Sequence, residues 1–281
     1  MKICAILITY FPSVSDTICN IKQYLSFVDC LIIWENTPIN QRDKYKVVIS
    51  EFADKIVYMS TEKNEGISYP INKCVEWAKQ QNFSHVLTMD QDSFWENFEE
   101  FKGVIKMTEK QGLKSVFTPN INKYYSQGQK TIETGSFITS GTLFPMYVLS
   151  EIGKLNEALF VDGVDLDYSL RVIKRGTRIN VITFAHLHQK FGYPIKSKIF
   201  GFTTSNYSAE RTHNIVKNHI LIYRNYNKLL TNEQRKMIIN GYILSRIFKI
   251  LILENDKYKK IKATFVGAYK GLTEPLSNYF S

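Results

Sequence analysis

Four short apolar runs, each closed by polar residues and separated by stretches of helical periodicity, constrain this chain more than any other feature. Residues 3–9 (Ile-Cys-Ala-Ile-Leu-Ile-Thr), 30–34 (Cys-Leu-Ile-Ile-Trp), 55–59 and 85–90 are apolar or nearly so, the pattern of strands covered on both faces. Between the first two, apolar residues recur at 14, 18, 21, 25 and 28. A helix is therefore expected over 13–27, with Ser15 or Asp16 as its N-cap. A second helix is expected over 45–53, and a third carries Ile67, Ile71, Cys74, Val75 and Ala78 on one face. This alternation predicts an α/β fold: a parallel sheet with right-handed crossovers and ligand groups beyond the C-terminal ends of its strands.

A length of 281 residues bounds the chain to one large domain, or one domain with an appendage. The net charge of +10, from 36 Lys and Arg against 26 Asp and Glu, favours anionic partners: nucleic acid, an anionic membrane surface or a phosphorylated substrate. No Lys/Arg block, zinc-finger spacing or RNA-binding aromatic motif occurs, which sets nucleic acid aside. Cys4, Cys19, Cys30 and Cys74 have no Cys-x-x-Cys spacing and read as reduced core thiols. The first apolar run is too short for a signal peptide, so a cytoplasmic location is expected.

The strand ends carry the candidate chemistry. Thr9 and Tyr10 close the first run, Glu35 and Asn36 the second, Asn64-Glu65-Gly66 follows the third, and Asp90-Gln91-Asp92 closes the fourth. If the backbone stays extended past residue 90, the side chains of Asp90 and Asp92 converge on one side. Two converging carboxylates suit a hard cation, Mg2+ or Mn2+, that bridges to a diphosphate. A solvated acidic turn is the plain alternative, and recurrence of polar groups at four successive strand ends weighs against it. Downstream, a helix is expected over 98–111, a strand over 115–119, and a flexible binding loop over 120–134. A further strand is expected over 137–144, with Gly141 marking a close approach.

A second acidic cluster places Asp162, Asp165 and Asp167 within six positions. Asp165 is expected at the start of a helix that carries Leu166, Leu170 and Ile173 inward, where the macrodipole favours a carboxylate. Capping accounts for one Asp but not for three. A strand over 178–185 runs into His186-Leu187-His188, whose spacing puts both imidazoles on one face, a ligand signal in a chain with five His. From Tyr223 onward the character changes. Residues 237–253 are apolar but interrupted by Asn240, Gly241, Ser245, Arg246 and Lys249, so they do not read as a membrane span. Lys257, Lys259, Lys260 and Lys262 follow. Two readings stand: a helix buried against the rest of the chain or in a homodimer, or an interfacial helix on anionic lipid.

Taken in order, Ala5-Ile6-Leu7-Ile8-Thr9-Tyr10, Asn64-Glu65-Gly66 with Asn72, Met89-Asp90-Gln91-Asp92, Thr139-Ser140-Gly141, residues 160–167 with Arg171, His188 ahead of Phe191-Gly192, and Arg211 with Lys217-Asn218 form a pattern. It resembles family 2 glycosyltransferases, inverting nucleotide-sugar transferases of the GT-A fold, and within them the rhamnosyltransferase and galactofuranosyltransferase types of bacterial surface polysaccharides. The resemblance spans about residues 1–225 by motifs in context. It implies a GT-A, Rossmann-like, mixed but mostly parallel sheet flanked by helices over 1–222, with a C-terminal helical, basic region over 223–281. It further implies that Thr9, Tyr10, Glu35, Asn64 and Gly66 line the nucleotide-sugar pocket with Asp90 and Arg211. Asp90, Asp92 and His188 would hold Mg2+ or Mn2+, and Asp165 would be the catalytic base. Glu35 stands where Asp is usual. Val164 stands where an acidic residue commonly precedes the base, so Asp162 is a rival, and an extra residue before the glycine makes His186 a rival of His188. The implied partners are a UDP- or dTDP-sugar and a saccharide or lipid-linked acceptor, at the inner face of the plasma membrane. Two other classes stay open: a nucleotide-sugar binding module without catalysis, and a metal-dependent nucleotidyltransferase. The latter lacks its glycine-rich loop, since Tyr10-Phe11-Pro12-Ser13 stands after the first strand.

Overall fold

The computed structural model of the chain describes residues 1–126, 128–197 and 201–280. Its contacts divide the chain into two units: Met1–Phe160 with Arg171–Gln189, and Val161–Leu170 with the residues from Lys190 on.

Among the described residues the first unit is built on nine strands: β1 (Ile3–Thr9), β2 (Cys30–Glu35), β3 (Ile56–Ser60), β4 (His85–Asp90), β5 (Ser93–Trp95), β6 (Ser115–Ile121), β7 (Thr131–Glu133), β8 (Leu143–Pro145) and β9 (Arg178–Gln189). They lie in the order β3-β2-β1-β4-β8-β6-β9-β5, with β7 also on β9. The first four are parallel, as the apolar runs predict; β1, β2 and β4 are buried nearly throughout, while β3, at the sheet edge, is only partly covered. The pairing of β6 with β9 is parallel too, while the short strands β5, β7 and β8 run antiparallel to their neighbours. One core joins Leu7, Ile33 and Leu87 of the sheet to Trp95, Phe98 and Phe101. In it the Trp95 ring meets Phe98 edge-on at 5.0 Å and Phe101 at 4.9 Å.

Several expectations are corrected. The first helix is Val14–Lys22 with Ser13, not Ser15 or Asp16, at the N-cap position. The helix expected over 45–53 is broken, with only a 3-10 helix at Ser50–Lys55 covering its end. A short α-helix spans Arg42–Tyr45, and after it Val47 and Ile49 are buried while Val48 is exposed, an alternation of period two rather than 3.6. The polar segment 120–134 is not all loop, since β6 runs to Ile121 and Thr131–Glu133 pairs with β9. The strand expected over 137–144 shrinks to Leu143–Pro145 because Gly141, at φ +78°, breaks the ladder. Cys19 is exposed, so only the other three cysteines are core thiols.

In the second unit the helix Ala209–Tyr226 packs on the last helix, Lys257–Thr273, through glycines: a Cβ on Gly267 would stand 2.6 Å from the His213 carbonyl oxygen. That packing keeps residues on both sides of 222 in one unit. Between them run Asn232–Lys236, a wider-wound π turn at Met237–Leu244, and Ser245–Leu253. Lys260 does not face solvent with its neighbours. Its Nζ is buried against Glu254 at 2.7 Å and Asn206 at 2.6 Å. Among the described residues no helix is long and apolar enough to cross a membrane. The helix Val164–Lys174 buries Val164, Tyr168, Leu170 and Val172, whereas Ile173, expected inward, is 38% exposed.

Candidate functional site

The register of the parallel strands aligns their C-terminal ends: Ile8 stands opposite Asp90, Thr9 opposite Glu35, and Glu35 opposite Ser60. Thr9, Glu35 and Asp90, three of the residues expected to receive a nucleotide, therefore share one edge of the sheet. Thr9 is buried and its hydroxyl donates to the Trp34 carbonyl at 3.3 Å, while Tyr10 is 45% exposed. Glu35 is turned to its own loop, where Oε1 accepts the Thr37 amide at 2.8 Å. Asn64 likewise accepts the Gly66 amide at 2.9 Å. Gly66 sits at φ +71°, and a Cβ there would lie 2.4 Å from the Phe160 carbonyl oxygen, so this turn admits only glycine. Asn36, which drew no separate role from the sequence, ties the edge together. Its Nδ2 donates to the Gly66 carbonyl at 2.7 Å, and its Oδ1 accepts from Trp34 Nε1 and the Glu65 amide, each at 3.2 Å.

The Asp-x-Asp does not continue extended. Gln91 and Asp92 form the turn between β4 and β5, so the i, i+2 argument for converging carboxylates fails there. The middle residue does the positioning instead. Gln91 accepts the Tyr10 amide at 2.7 Å and returns an amide hydrogen to the Tyr10 carbonyl at 3.0 Å, bracketing the end of β1 to the end of β4. Asp90 is held by its backbone amide to Ser140 Oγ at 3.1 Å and accepts Gln189 Nε2 on Oδ2 at 2.6 Å. Ser140 donates in turn to Ser93 at 2.7 Å, and the Gly141 amide reaches the Thr88 carbonyl at 2.7 Å. The Thr139-Ser140-Gly141 motif thus supports the aspartate, and the close approach at Gly141 comes from Pro119 and Leu187.

Both histidines of β9 face one side, as their spacing requires, and both meet Glu96: His186 Nδ1 at 3.0 Å and His188 Nε2 at 2.6 Å. With Lys123 Nζ 3.1 Å from the same carboxylate, the His188 contact first, then Lys123 and His186, pull the Glu96 carboxyl down to about 2. Among the described residues no group of three or more His, Cys, Asp or Glu side chains could hold a metal, so Asp90, Asp92 and His188 are not gathered into one ligand set. The donor chemistry that remains, two carboxylates at a strand end, fits a hard cation only when a diphosphate supplies further oxygens.

The second unit holds the other acidic cluster. Asp162 Oδ1 accepts both Nε and Nη2 of Arg211 at 3.2 Å, and its carbonyl accepts Asn218 Nδ2 at 2.7 Å. Burial raises the Asp162 carboxyl against the lowering pull of Arg211 and Arg246. The Tyr207 ring is 4.2 Å from the Arg211 guanidinium and 5.3 Å from that of Arg246. Asp167 is buried and accepts the Tyr226 hydroxyl at 2.7 Å. Asp165 lies half-buried in the first turn of the helix Val164–Lys174. The Tyr242 phenol is pushed up to about 12 by burial and by the negative charges of Asp165 and Asp162.

No established family profile matches the chain. A dTDP-rhamnosyl transferase, RfbF, of Shigella flexneri is 24% identical over 92% of this chain and 90% of its own length. GalNAc-T7, solved with UDP, GalNAc and Mn2+, matches 99% of this chain at a TM-score of 0.61 and 9% identity. The chain has the GT-A fold. TarS of S. aureus has it too, at a TM-score of 0.55 and 15% identity over 99% of this chain. A shorter TarS structure in complex with UDP-GlcNAc matches 94% of the chain at a TM-score of 0.53. The chain spans 57% of the GalNAc-T7 chain and 50% of the longer TarS chain.

Proposed function

We propose that the chain is an inverting, family 2 type glycosyltransferase that moves a sugar from a UDP- or dTDP-sugar to a hydroxyl of a saccharide or lipid-linked acceptor in surface-glycan synthesis. The observation that carries this reading is the sheet edge itself, where Gln91 brackets Tyr10 beside Asp90 on a GT-A scaffold. The rhamnosyl transferase similar to this chain over nearly its whole length favours a dTDP-sugar. In this reading Thr9, Tyr10, Glu35, Asn64 and Gly66 form the nucleoside side of the site and Asp90 orients the donor. A Mg2+ or Mn2+ ion would be held by Asp90 and Asp92 and would supply neutralising charge for the departing diphosphate. Arg211, with a partly exposed guanidinium, suits an anionic group of the donor.

Asp165 accepts the proton of the acceptor hydroxyl. The hydroxyl oxygen bonds to the anomeric carbon as the bond from that carbon to the diphosphate oxygen breaks, and one displacement inverts the configuration. General-base help of this kind is worth about 10² to 10⁴ in rate. Asp162, whose carboxylate pairs with Arg211, is the rival base. An acceptor carried on lipid puts the enzyme at the inner face of the membrane. The test is a thermal-shift screen of nucleotide sugars with Mn2+, followed by product analysis. Stabilisation and sugar transfer by a dTDP- or UDP-sugar is the expected result. Stabilisation with the sugar left intact over hours would mark a binding module instead.

A further inference from the structure

The last helix, Lys257–Thr273, turns Lys260, Thr264, Gly267 and Gly271 inward, a single stripe at helical spacing. At 3.6 residues per turn, Tyr258, Phe265, Tyr269 and Leu272 fall about half a turn away from that stripe. A face opposite a packed stripe is normally polar. Here these four side chains are 81%, 61%, 69% and 62% exposed. The preceding helix, Ser245–Leu253, repeats the arrangement. Arg246 and Ile250 are buried, and Phe248 and Leu251 on its far side are 51% and 54% exposed, with Leu244 just before it at 58%. Leaving so many large apolar groups in water is a cost that a covered face would remove.

Charge selects what covers it. Residues 231–281 hold nine Lys or Arg against four Asp or Glu. Lys236, Lys257, Lys259, Lys262 and Lys270 are exposed, whereas Glu254 is buried. On the last helix Lys262 borders the aromatic stripe and Lys259 and Lys270 lie further round the same cylinder. A second copy of the chain would bring lysines against lysines. An anionic bilayer would take the aromatic side chains at its headgroup level and the ammonium groups among its phosphates.

We infer that the stripe Tyr258, Phe265, Tyr269, Leu272, aided by Leu244, Phe248 and Leu251 and by the exposed lysines, seats the protein on an anionic lipid surface. This rests on the membrane-surface part of the function proposed above and names the groups that make the contact. Aromatic and aliphatic residues supply partitioning, and the lysines supply charge selectivity, the two signals that a lasting surface attachment needs.

The experiment uses the full chain and sedimented vesicles of phosphatidylcholine alone or with phosphatidylglycerol. Binding is expected only with phosphatidylglycerol and should weaken as salt rises. The triple variant F265S/Y269S/L272S, altered only at exposed positions, should bind about tenfold or more weakly. The variant K259Q/K262Q/K270Q should lose a similar factor at low salt, since each lysine near an anionic surface contributes severalfold. Circular dichroism and sugar transfer to a soluble acceptor, followed in parallel, should match the parent chain for both variants. Unchanged vesicle binding by both variants would overturn the inference, as would equal binding to pure phosphatidylcholine. A concentration-dependent dimer in sedimentation, lost in F265S/Y269S/L272S while vesicle binding persists, would overturn it in favour of a second copy. Absence of sugar transfer in the parent chain would count against the transferase alone and leave the vesicle result standing.

Discussion

Gln91 shows how a residue between two conspicuous ones can carry the geometry. Its amide is matched to the Tyr10 backbone at both ends, acceptor to N–H and donor to carbonyl, so no smaller or singly functional side chain replaces it. Gln91→Ala should cost little stability, about 1 kcal/mol for exposed hydrogen bonds, yet lower affinity for a nucleotide sugar several-fold by releasing Tyr10. Calorimetric titration beside a thermal melt checks this, and unaltered affinity would reduce the clamp to a structural detail. His219 offers a second residue-scale expectation. It is buried, donates Nδ1–H to the Ile215 carbonyl at 2.7 Å and stacks on Tyr242 at 3.8 Å, and burial lowers its imidazole from 6.5 to about 4. Because the folded value lies below the unfolded one, the unfolded chain takes the proton first as pH falls. Stability is therefore full above about pH 6.5 and declines toward pH 4, by about 2 kcal/mol near pH 5. His219→Phe should narrow the gap between urea midpoints measured near pH 7 and pH 5; an equal gap would place the titration elsewhere.

At the scale of elements, long apolar strands were readable and short ones were not. β1, β2 and β4 declare themselves because both faces are buried, so apolar residues run nearly unbroken between their polar ends, with Thr88 the one polar residue inside β4. β5 and β7 have three residues each, too few for a period to register, and are strands only because β9 lies beside them. The stretch over 45–53 misled because Val47, Val48 and Phe52 mimic helical spacing, while burial alternates over Val47–Ile49 and the helix that follows is a short 3-10 one at Ser50–Lys55. Glycine in the last helix was equally silent: sequence cannot say whether a helical glycine is a weakness or a contact. Packing answers it. Alanine is worth about 1 kcal/mol over glycine in a helix, but at Gly267 its Cβ would overlap the His213 carbonyl at 2.6 Å, and overpacking costs about 1 to 3 kcal/mol. Gly267→Ala should therefore lower the melting temperature. Gly241→Ala, whose Cβ meets only Met237 Cγ at 3.7 Å, should raise it or leave it unchanged. The reverse order in a calorimetric scan would mean that the two helices do not pack through this glycine.

For the molecule as a whole, the order of motifs along the chain was legible while their partners were not. The sequence names Asp90, Asp92 and His188 together. The fold assigns His188 to Glu96 and Asp90 to Gln189, contacts between residues more than ninety positions apart that no local pattern encodes. The acidic cluster behaves likewise: three aspartates look alike in sequence, but Arg211 takes Asp162 and Tyr226 takes Asp167. That sorting makes the base assignment testable on the intact enzyme. Asp165→Asn preserves size and a polar first helical turn, removes the charge, and abolishes the ability to take a proton. Turnover should fall by about 10² or more, while loss of the dipole interaction costs at most about 1 kcal/mol of stability. Donor affinity, which depends on the sheet-edge residues, should be unchanged. Asp162→Asn should act differently, loosening Arg211 and altering donor affinity more than the rate of the chemical step. Single-turnover kinetics with saturating donor separates these effects. If Asp162→Asn removes the chemical step and Asp165→Asn spares it, the base lies three residues earlier and Arg211 must release its carboxylate during the reaction. If neither substitution slows the chemical step, general-base inversion at this cluster is wrong, and the acceptor proton leaves by another group.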